Sequence, residues 1–566
     1  MRSKALSRFT VWCFFAITLP GLALGQTPLG SAAPPRPSSP PPGKPTFHAE
    51  SRLVVVDVVV TRHGHPVTDL SKTDFTILED GKLQNLAIFE PHAFLETSTA
   101  PSPPPPLPPN QYSNVSSATP SAINIVLFDI LNTPLTDQPY AREQMVQFLK
   151  TLPQGEPVAL FELTARLRMI AGLGTSSEEL IAAARKIASH SSERLDTQEE
   201  REEAEQEITD LRQGSPNQEF FDRMQDFLHE TTAARDLDRT KSTLQAFEEL
   251  ARAVSGYAGR KNVLWLSEEF PVYFGPSLNR DEAGRGLYTY SDVEHQAATR
   301  LSAAEISLYP IDVRGLAVML AGASARSAGV QGVQQLDHIH DAMDELARET
   351  GGRAFYDTNA LKDAMRASIE NGSTYYTLAY VPANQNWDSK YHHIKVQLAR
   401  SGLESVYRKG YFATPETPPS EDQAARSLLT ALQPATPQST MIRLKAQVLP
   451  PDPEHAKVRI HYLVDGSGLK FADGTGNRKN GTLQFITIAW DRNLKAAVHS
   501  SHTMELSLPP EKYDYVVHNG LAIYDEFELP PGPYNLCLGV MDQGSKKIGT
   551  LNVPLQIAEP RKTAPK

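Results

Sequence analysis

INIVLFDILNT, residues 123–133, decides the fold that we expect for this chain. Bulky and β-branched apolar residues fill the stretch up to Asp129, as in a strand that is buried on both faces of a parallel sheet. In open α/β sheets, ligands bind at the carboxyl ends of the strands. Asp129 and Thr133 bring oxygen-bearing side chains to that end, and oxygen ligands suit a hard cation such as Mg²⁺. The stretch therefore predicts a sheet and a cation site at its edge.

Strands and helices alternate from this stretch onward. The expected strands are NIVLFDI, PVALFELT, RLRMIAG, NVLWLSEEF, SLYPIDV and RAFYD. The expected helices cover 136–152, 176–189, 243–254, 293–305, 337–350 and 361–371. This alternation predicts an α/β fold with a doubly wound, mainly parallel, Rossmann-like sheet. Residues 375–411 change to strict alternation, and their antiparallel strands are expected to extend the sheet or to pack beside it.

Proline-rich segments separate this α/β domain from two β-rich ends. The expected division is a disordered spacer at 26–46, a small β-domain at 47–96, a stiff linker at 97–120, the α/β domain at 121–413, a linker at 414–438, a β-sandwich at 439–558 and a tail at 559–566. The linker at 97–120 is centred on PSPPPPLPP, for which binding to a proline-recognising partner is the alternative role.

A charged insertion interrupts the α/β pattern at about 190–240. Its stretch DTQEEREEAEQEITDLR suits a solvated helix, and a helical hairpin would place Phe220, Phe221 and Phe227 on the inner face. We expect the acidic run to be a solvated face. A docking surface for a partner is the alternative.

The amino terminus has the pattern of a secretory signal. Basic residues precede an apolar stretch that ends in a small-x-small cleavage site at Ala23-Leu24-Gly25. This predicts a signal peptide at 1–25 and export to the periplasm, the cell envelope or the outside of the cell, with a membrane anchor as the alternative. No later segment is apolar enough to cross a bilayer. Cys537 alone remains after cleavage, so no intrachain disulfide is possible.

Composition and motifs argue against several functions. The formal net charge of −11 and the pI of about 5.8 do not suit nucleic-acid binding, which needs a dense basic stripe. The sequence has no Walker loop, no Gly-x-Ser-x-Gly elbow, no Cys-x-x-Cys and no His-Glu-x-x-His. No motif of an enzyme is therefore present, and we expect a protein that is not an enzyme.

The remaining acidic and histidine motifs have structural explanations. Asp80 and the glycine after it predict a tight turn with positive φ rather than a metal site. His338 and His340 would lie on different faces of a helix. His392 and His393 would point to opposite faces of a strand. We expect these histidines to be surface or turn residues.

The order of the pieces resembles the von Willebrand factor A-related proteins of acidobacteria, a family of exported bacterial proteins. The matching stretches are VVVDVVVTRHGHPVTDLSKTDFTILEDGK, NIVLFDILNT, GRKNVLWLSEEFP, SLYPIDVRGL, LARETGGRAFYDTN and the strands from YYTLAYVP to SVYRKGYF, which together cover about 50–414. The resemblance implies a von Willebrand A fold and export. It implies no known reaction or ligand, and the last 150 or so residues lie outside it.

The resemblance also implies a metal-ion-dependent adhesion site, which in this family begins Asp-x-Ser-x-Ser. The first aspartate matches Asp129 and the second serine matches Thr133. Leu131 stands at the first serine and cannot bind a metal. This loss leaves two interpretations open: a divalent site with altered affinity, or a degenerate site at which Asp129 caps the strand end.

Two further ligands of such a site come from later segments. The loop threonine falls at Thr240 or Thr243, without the expected Gly-Gly before it. The second aspartate corresponds to Glu268, whose longer arm changes the geometry that Mg²⁺ demands. Mg²⁺, Mn²⁺ or Ca²⁺ is the expected cation.

These observations predict an exported interaction protein that binds a protein partner at the carboxyl edge of the sheet. The cation, if bound, would bridge two carboxylate-bearing proteins. The alternatives are an envelope scaffold protein without a metal and a cation-dependent hydrolase.

Overall fold

A computed structural model describes residues 53–92, 107–115, 122–153, 156–190, 192, 195, 198–213, 217–257, 259–268, 297–298, 300–314, 330–356, 360–383, 387–388, 390–413, 419–434 and 436–558. The predicted signal peptide at 1–25, the spacer at 26–46 and the tail at 559–566 lie outside these residues. Within the described segments, the helices are too short or too polar to span a membrane.

The secondary-structure elements are numbered here in chain order. The strands are β1 (Val54–Arg62), β2 (His65–Pro66), β3 (Phe75–Glu79), β4 (Lys82–Gln84), β5 (Leu86–His92), β6 (Gln111–Ser113), β7 (Ala122–Asp129), β8 (Val158–Leu163), β9 (Leu167–Ala171), β10 (Arg260–Ser267), β11 (Ile306–Asp312), β12 (Tyr375–Tyr380), β13 (Tyr391–Leu398), β14 (Glu404–Val406), β15 (Gly410–Phe412), β16 (Leu444–Leu449), β17 (Val458–Val464), β18 (Ala472–Asp473), β19 (Lys479–Trp490), β20 (Ala496–Leu508), β21 (Leu521–Phe527), β22 (Gly532–Asp542) and β23 (Ile548–Ile557). The helices are α1 (Gln138–Leu149), α2 (Ser177–Arg185), α3 (Gln198–Arg212), α4 (Gln218–Val254), α5 (Val330–Thr350), α6 (Leu361–Ser373), α7 (Glu421–Ala431) and α8 (Pro510–Asn519).

The stretch at 123–133 lies in a five-stranded sheet of order β11-β10-β7-β8-β9. The first four strands run parallel, and β9 runs antiparallel to β8. Alternate residues of β7 enter two cores. Ile125 and Leu127 pack with α4 and α5, whereas Val126 and Phe128 pack with α1, α2 and α6. This burial on both faces explains the continuous apolar run of β7.

The fold class expected for the chain, a doubly wound and mainly parallel α/β fold, is wrong. Four of the five sheets formed by the described residues are antiparallel throughout. RAFYD, expected as a strand, makes a single bridge between Phe355 and Ile311. The expected helix at 293–305 lies partly outside the described residues. Local alternation of strands and helices revealed one sheet but carried no information about the long-range pairing of the other strands.

The antiparallel β-module consists of residues 54–92 and 375–412. One of its sheets has the order β14-β1-β12-β5, and the other has the order β15-β13-β3-β4. A shared core of apolar side chains, including Val56, Ile77, Leu378 and Val396, lies between them. The predicted division placed 47–96 and 375–413 in different domains, whereas their strands pair directly with one another.

Two further antiparallel sheets pack face to face at the carboxyl-terminal end. Strands β21-β17-β16-β6 form one, and β18-β19-β22-β23 with β20 form the other. Their common core contains Val448, Ile460, Phe485 and Leu538. Strand β6 comes from the predicted linker at 97–120, and α7 comes from the linker predicted at 414–438. We call these two sheets, together with helix α7, the sandwich.

The charged insertion forms α3 and the long helix α4, which run side by side. Arg212 pairs with Asp222 at 2.9 Å across the turn between the helices. Phe221 is buried, but Phe220 and Phe227 are 50% and 69% exposed. The expectation that all three phenylalanines line an inner face is therefore wrong for two of them.

Candidate functional site

Asp129 ends β7 at the carboxyl edge of the parallel sheet, and its side chain is fully buried. Its Oδ1 accepts a hydrogen bond from the backbone N–H of Asn132 at 3.0 Å. Its Oδ2 accepts from the Asn132 amide at 2.8 Å, from the Trp265 indole at 2.8 Å and from the Ser267 hydroxyl at 3.3 Å. Burial raises the pKa of Asp129 to about 6, even though these hydrogen bonds act to lower it.

Asn132 connects this carboxylate to helix α4. The Asn132 Nδ2 also donates to the Thr243 hydroxyl at 3.0 Å, and the Asn132 Oδ1 accepts from the Arg239 guanidinium at 3.3 Å. Arg239 is 2% exposed and pairs with Asp236 at 2.6 Å. We call Asp129, Asn132, Trp265, Ser267, Thr243 and Arg239 the Asp129 network.

The two other threonines expected as ligands lie apart from these hydrogen bonds. Thr133 is buried, and its hydroxyl has no hydrogen-bond partner among the described residues. Thr240 donates from its hydroxyl to the backbone carbonyl of Asp236 at 2.8 Å, one turn earlier in α4. Of the three threonine candidates, only Thr243 thus joins the Asp129 network.

Glu268 follows β10 and faces a different group of charges. Burial raises its pKa to about 9, and the Asp137 carboxylate at the start of α1 adds to that rise, while Arg314 opposes it. Its Oε2 is buried without a hydrogen-bond partner among the described residues. Glu268 is therefore a neutral carboxyl group at pH 7, directed toward Asp137 rather than part of the Asp129 network.

Asp312 ends the neighbouring strand β11 and closes its own turn. It accepts from the backbone N–H of Arg314 at 3.0 Å and pairs with the Arg314 guanidinium at 2.6 Å. His340 lies 3.7 Å away and stacks on Tyr356. Although burial opposes it, hydrogen bonding to His340 and Arg314 keeps the pKa of Asp312 below its usual value. Asp312 therefore caps the turn that follows β11.

The residues around Asp129 do not fit a resident divalent cation. Both carboxylate oxygens already accept hydrogen bonds from protein donors, and a metal would have to displace some of them. Leu131 is buried in the apolar core rather than turned to the edge. The guanidinium of Arg239 supplies positive charge beside Asn132. Among the candidate ligands that the structure describes, the Thr133 hydroxyl and the Glu268 Oε2 are the groups without a hydrogen-bond partner, and neither belongs to the Asp129 network.

Four members of the network, Asn132, Trp265, Ser267 and Arg239, were not among the residues predicted from the sequence. Asn132 lies in the stretch at 123–133, but the adhesion-site pattern assigns no role to the residue at this position. Trp265 lies in NVLWLS, where its apolar character alone was used. Arg239 lies 107 positions from Asn132, and nothing local in the sequence links the two residues.

Exposed apolar side chains flank the same edge. Leu135, in the loop after β7, is 48% exposed, and Tyr140, in the first turn of α1, is 37% exposed. Pro134 between β7 and Leu135 is buried. The loop is thus anchored at its base by the Asp129 network and presents apolar groups at its surface.

Comparison with known proteins gives structural likenesses only. No protein-family model and no curated protein matches this chain. Proximal thread matrix protein 1 from the mussel byssus matches at 10% identity, with 46% of this chain and 48% of that protein covered and a TM-score of 0.22. A von Willebrand factor type A protein from Catenulispora acidiphila matches at 8% identity, over 64% of this chain and 75% of that protein, with a TM-score of 0.22. The pilus adhesin SpaC from Lactobacillus rhamnosus GG matches at 9% identity, over 82% of this chain and 60% of the adhesin, with a TM-score of 0.25.

These likenesses are weak. The chain spans about half the length of the mussel protein. At TM-scores of 0.22 to 0.25, none of the three establishes a shared fold or transfers a function. One of the three weak likenesses is to a von Willebrand factor type A protein.

Proposed function

We propose that this chain is an exported, non-enzymatic interaction protein that binds a protein partner at the carboxyl edge of the parallel sheet, without a resident cation at Asp129. Export rests on the signal pattern at 1–25. Membership of the acidobacterial von Willebrand factor A-related family, which implies export as well, rests on the sequence stretches that resemble it.

One observation supports the proposal that no cation is bound at Asp129. The Asp129 carboxylate, the first ligand of an adhesion site, accepts hydrogen bonds from Asn132 and Trp265 on both its oxygens. A buried polar network of this kind fixes its surroundings because leaving any member unpaired costs about 1–3 kcal/mol. The network therefore serves to hold the β7–α1 loop in place.

The same loop and the first turn of α1 supply the contact surface. Leu135 and Tyr140 are large side chains that remain exposed next to the buried network. Tyrosine and leucine groups held on a rigid support lose little conformational entropy on binding, and tyrosine is common among the residues that dominate binding energies. We expect the partner to cover these two side chains.

An envelope scaffold is the second candidate, favoured by how the sandwich attaches to helix α4. The Thr440 hydroxyl accepts from the backbone N–H of Gly256 and donates to the carbonyl of Ala253, both at 2.8 Å. The backbone N–H of Thr440 also donates to the carbonyl of Arg252 at 3.0 Å. A chain so firmly joined would suit a rigid structural role.

Affinity capture from an envelope extract of the source organism separates these possibilities. The immobilised full chain should retain a partner in EDTA, and the double variant Leu135→Ser with Tyr140→Ser should lose it. The matched control is Leu463→Ser with Tyr515→Ser, because the side chains of Leu463 on β17 and Tyr515 on α8 are 41% and 55% exposed. Retention that needs Mg²⁺, or that the edge variant leaves unchanged, would contradict the proposal.

A further inference from the structure

Glu79, Asp80 and His392 form a second polar cluster, in the β-module and outside the parallel sheet. One ligand atom from each lies within 4.8 Å of the others. The His392 Nδ1 is 2.8 Å from the Asp80 Oδ2 and 3.7 Å from the Glu79 Oε1. Asp80 occupies the tight turn between β3 and β4 with φ of +47°, and His392 lies on β13, which pairs with β3.

The two carboxylates are held so that one oxygen of each faces the imidazole. The Glu79 Oε2 accepts hydrogen bonds from the Tyr380 hydroxyl at 2.6 Å and the Tyr411 hydroxyl at 3.2 Å. The Asp80 Oδ1 accepts from the backbone N–H of His393 at 2.9 Å. Such outer hydrogen bonds are typical of metal sites, where they orient the ligating groups.

His392 itself is incompletely satisfied. It is 6% exposed, and its Nε2 is buried without a hydrogen-bond partner among the described residues. The nearest carboxylate on that side is Asp388, whose Oδ1 is 3.9 Å from the Nε2. A histidine that binds a metal through one nitrogen usually donates its other N–H to a carboxylate, and Asp388 lies on that side of the ring, although beyond hydrogen-bond distance.

We propose that Glu79, Asp80 and His392 bind a divalent transition-metal ion of the Zn²⁺ class through the Glu79 Oε1, the Asp80 Oδ2 and the His392 Nδ1. Zinc lies about 2.0–2.2 Å from nitrogen and oxygen ligands, so tetrahedral neighbours are about 3.4 Å apart. The observed separations of 2.8 Å and 3.7 Å lie on either side of that value. The ion would take the place of the hydrogen between the His392 Nδ1 and the Asp80 Oδ2, and that proton would move through solvent to the Nε2, so that the imidazole stays neutral.

The ligand set selects the class of ion. An imidazole with two carboxylates suits Zn²⁺ and its transition-metal neighbours, whereas Mg²⁺ and Ca²⁺ prefer oxygen ligands alone. The Asp80 side chain is 43% exposed, so the remaining coordination position is open to water from the outer side. The ion would join the β3–β4 turn to β13 across 312 positions of sequence.

Isothermal titration of Zn²⁺ into the full chain, paired with thermal unfolding in Zn²⁺ and in EDTA, tests this site. We expect saturable binding and a higher unfolding midpoint in Zn²⁺, because a ligand of the folded state stabilises it. Asp80→Asn keeps a residue that tolerates positive φ and should weaken binding at least about tenfold. His392→Gln should abolish it.

The matched control is His393→Gln, because His393 is exposed and supplies only its backbone N–H to the cluster. This variant should bind Zn²⁺ as the parent does. Absence of saturable binding in the parent would overturn the proposal, as would binding that survives both Asp80→Asn and His392→Gln. Since the edge of the parallel sheet plays no part here, either result leaves the proposed partner binding untouched.

Discussion

The Trp265 indole donates a hydrogen bond to the Asp129 carboxylate at 2.8 Å, joining the adjacent parallel strands β10 and β7 near their carboxyl ends. Trp265 is fully buried and packs edge-on against Phe247 of α4. The carboxylate that would begin an adhesion site is thereby part of the packing between a sheet and a helix.

Replacing Trp265 with phenylalanine should lower the free energy of unfolding by about 1–3 kcal/mol, since the Asp129 Oδ2 loses a donor in a buried place. Denaturant unfolding followed by fluorescence and circular dichroism measures the change. In a double-mutant cycle with Asp129→Asn, the combined loss should be smaller than the sum of the single losses. Strictly additive losses would show that the hydrogen bond does not stabilise the edge.

The raised pKa of Glu268 predicts a pH dependence of stability. Between its usual pKa of 4.5 and its folded-state pKa of about 9, Glu268 keeps a proton when folded that it loses when unfolded. Its contribution to stability therefore falls as the pH rises through this window. Glu268→Gln should match the parent near pH 4.5 and exceed its stability at pH 8 by at least about 1 kcal/mol.

Thermal unfolding of the two proteins between pH 4.5 and pH 8 checks this prediction. Glu454→Gln serves as the control, because Glu454 is an exposed glutamate between β16 and β17. A Glu268→Gln variant whose stability parallels that of the parent at every pH would show that Glu268 ionises normally.

Gly256 controls how the sandwich attaches to α4. A Cβ atom at this position would lie 2.3 Å from the backbone oxygen of Thr440, so Gly256→Ala should force the sandwich away from the helix. We expect a lower unfolding midpoint and faster proteolysis around 414–438 by a broad-specificity protease. Gly172→Ala is the control, since its Cβ would meet only the Met169 side chain, at 3.7 Å. Equal proteolysis of both variants would contradict the attachment described here and weaken the scaffold alternative.

The sequence predicted the elements whose cause is local. The apolar run before Asp129 marked a strand buried on both faces, and β7 is such a strand. The charged stretch at 190–240 was recognised as helical because its pattern repeats over a few turns.

What the sequence could not show depends on partners far away along the chain. Strand β1 pairs with β12 more than 300 positions later, and no periodicity encodes that choice. Strand β6 pairs with β16 although it follows a proline-rich stretch that reads as a linker. His392 was expected at the surface. The alternation of a strand shows on which face a side chain lies, but it does not show what covers that face. In the structure the turn at Asp80 covers His392.

The candidate site shows the same division. Asp129 lies at the end of a parallel strand, as predicted. Its hydrogen-bond donors, however, include Trp265 from another strand. Another donor residue, Asn132, accepts in turn from Arg239 on α4. Glu268 was aligned to a ligand position by its place after β10, but the side chain faces Asp137 instead. Whether both oxygens of a carboxylate accept hydrogen bonds depends on three-dimensional packing. The spacing of residues in a motif does not predict it.

Calorimetric titration of Mg²⁺ into the full chain tests whether Asp129 holds a cation, because Mg²⁺ is the ion that an adhesion site at Asp129 would hold. We predict no saturable binding that depends on Asp129, so the parent, Asp129→Asn and Thr133→Val should give the same heats. Saturable Mg²⁺ binding in the parent that disappears in both variants would show that Asp129 and Thr133 bind a cation. Partner binding through a bridging cation would then be the better explanation of this edge.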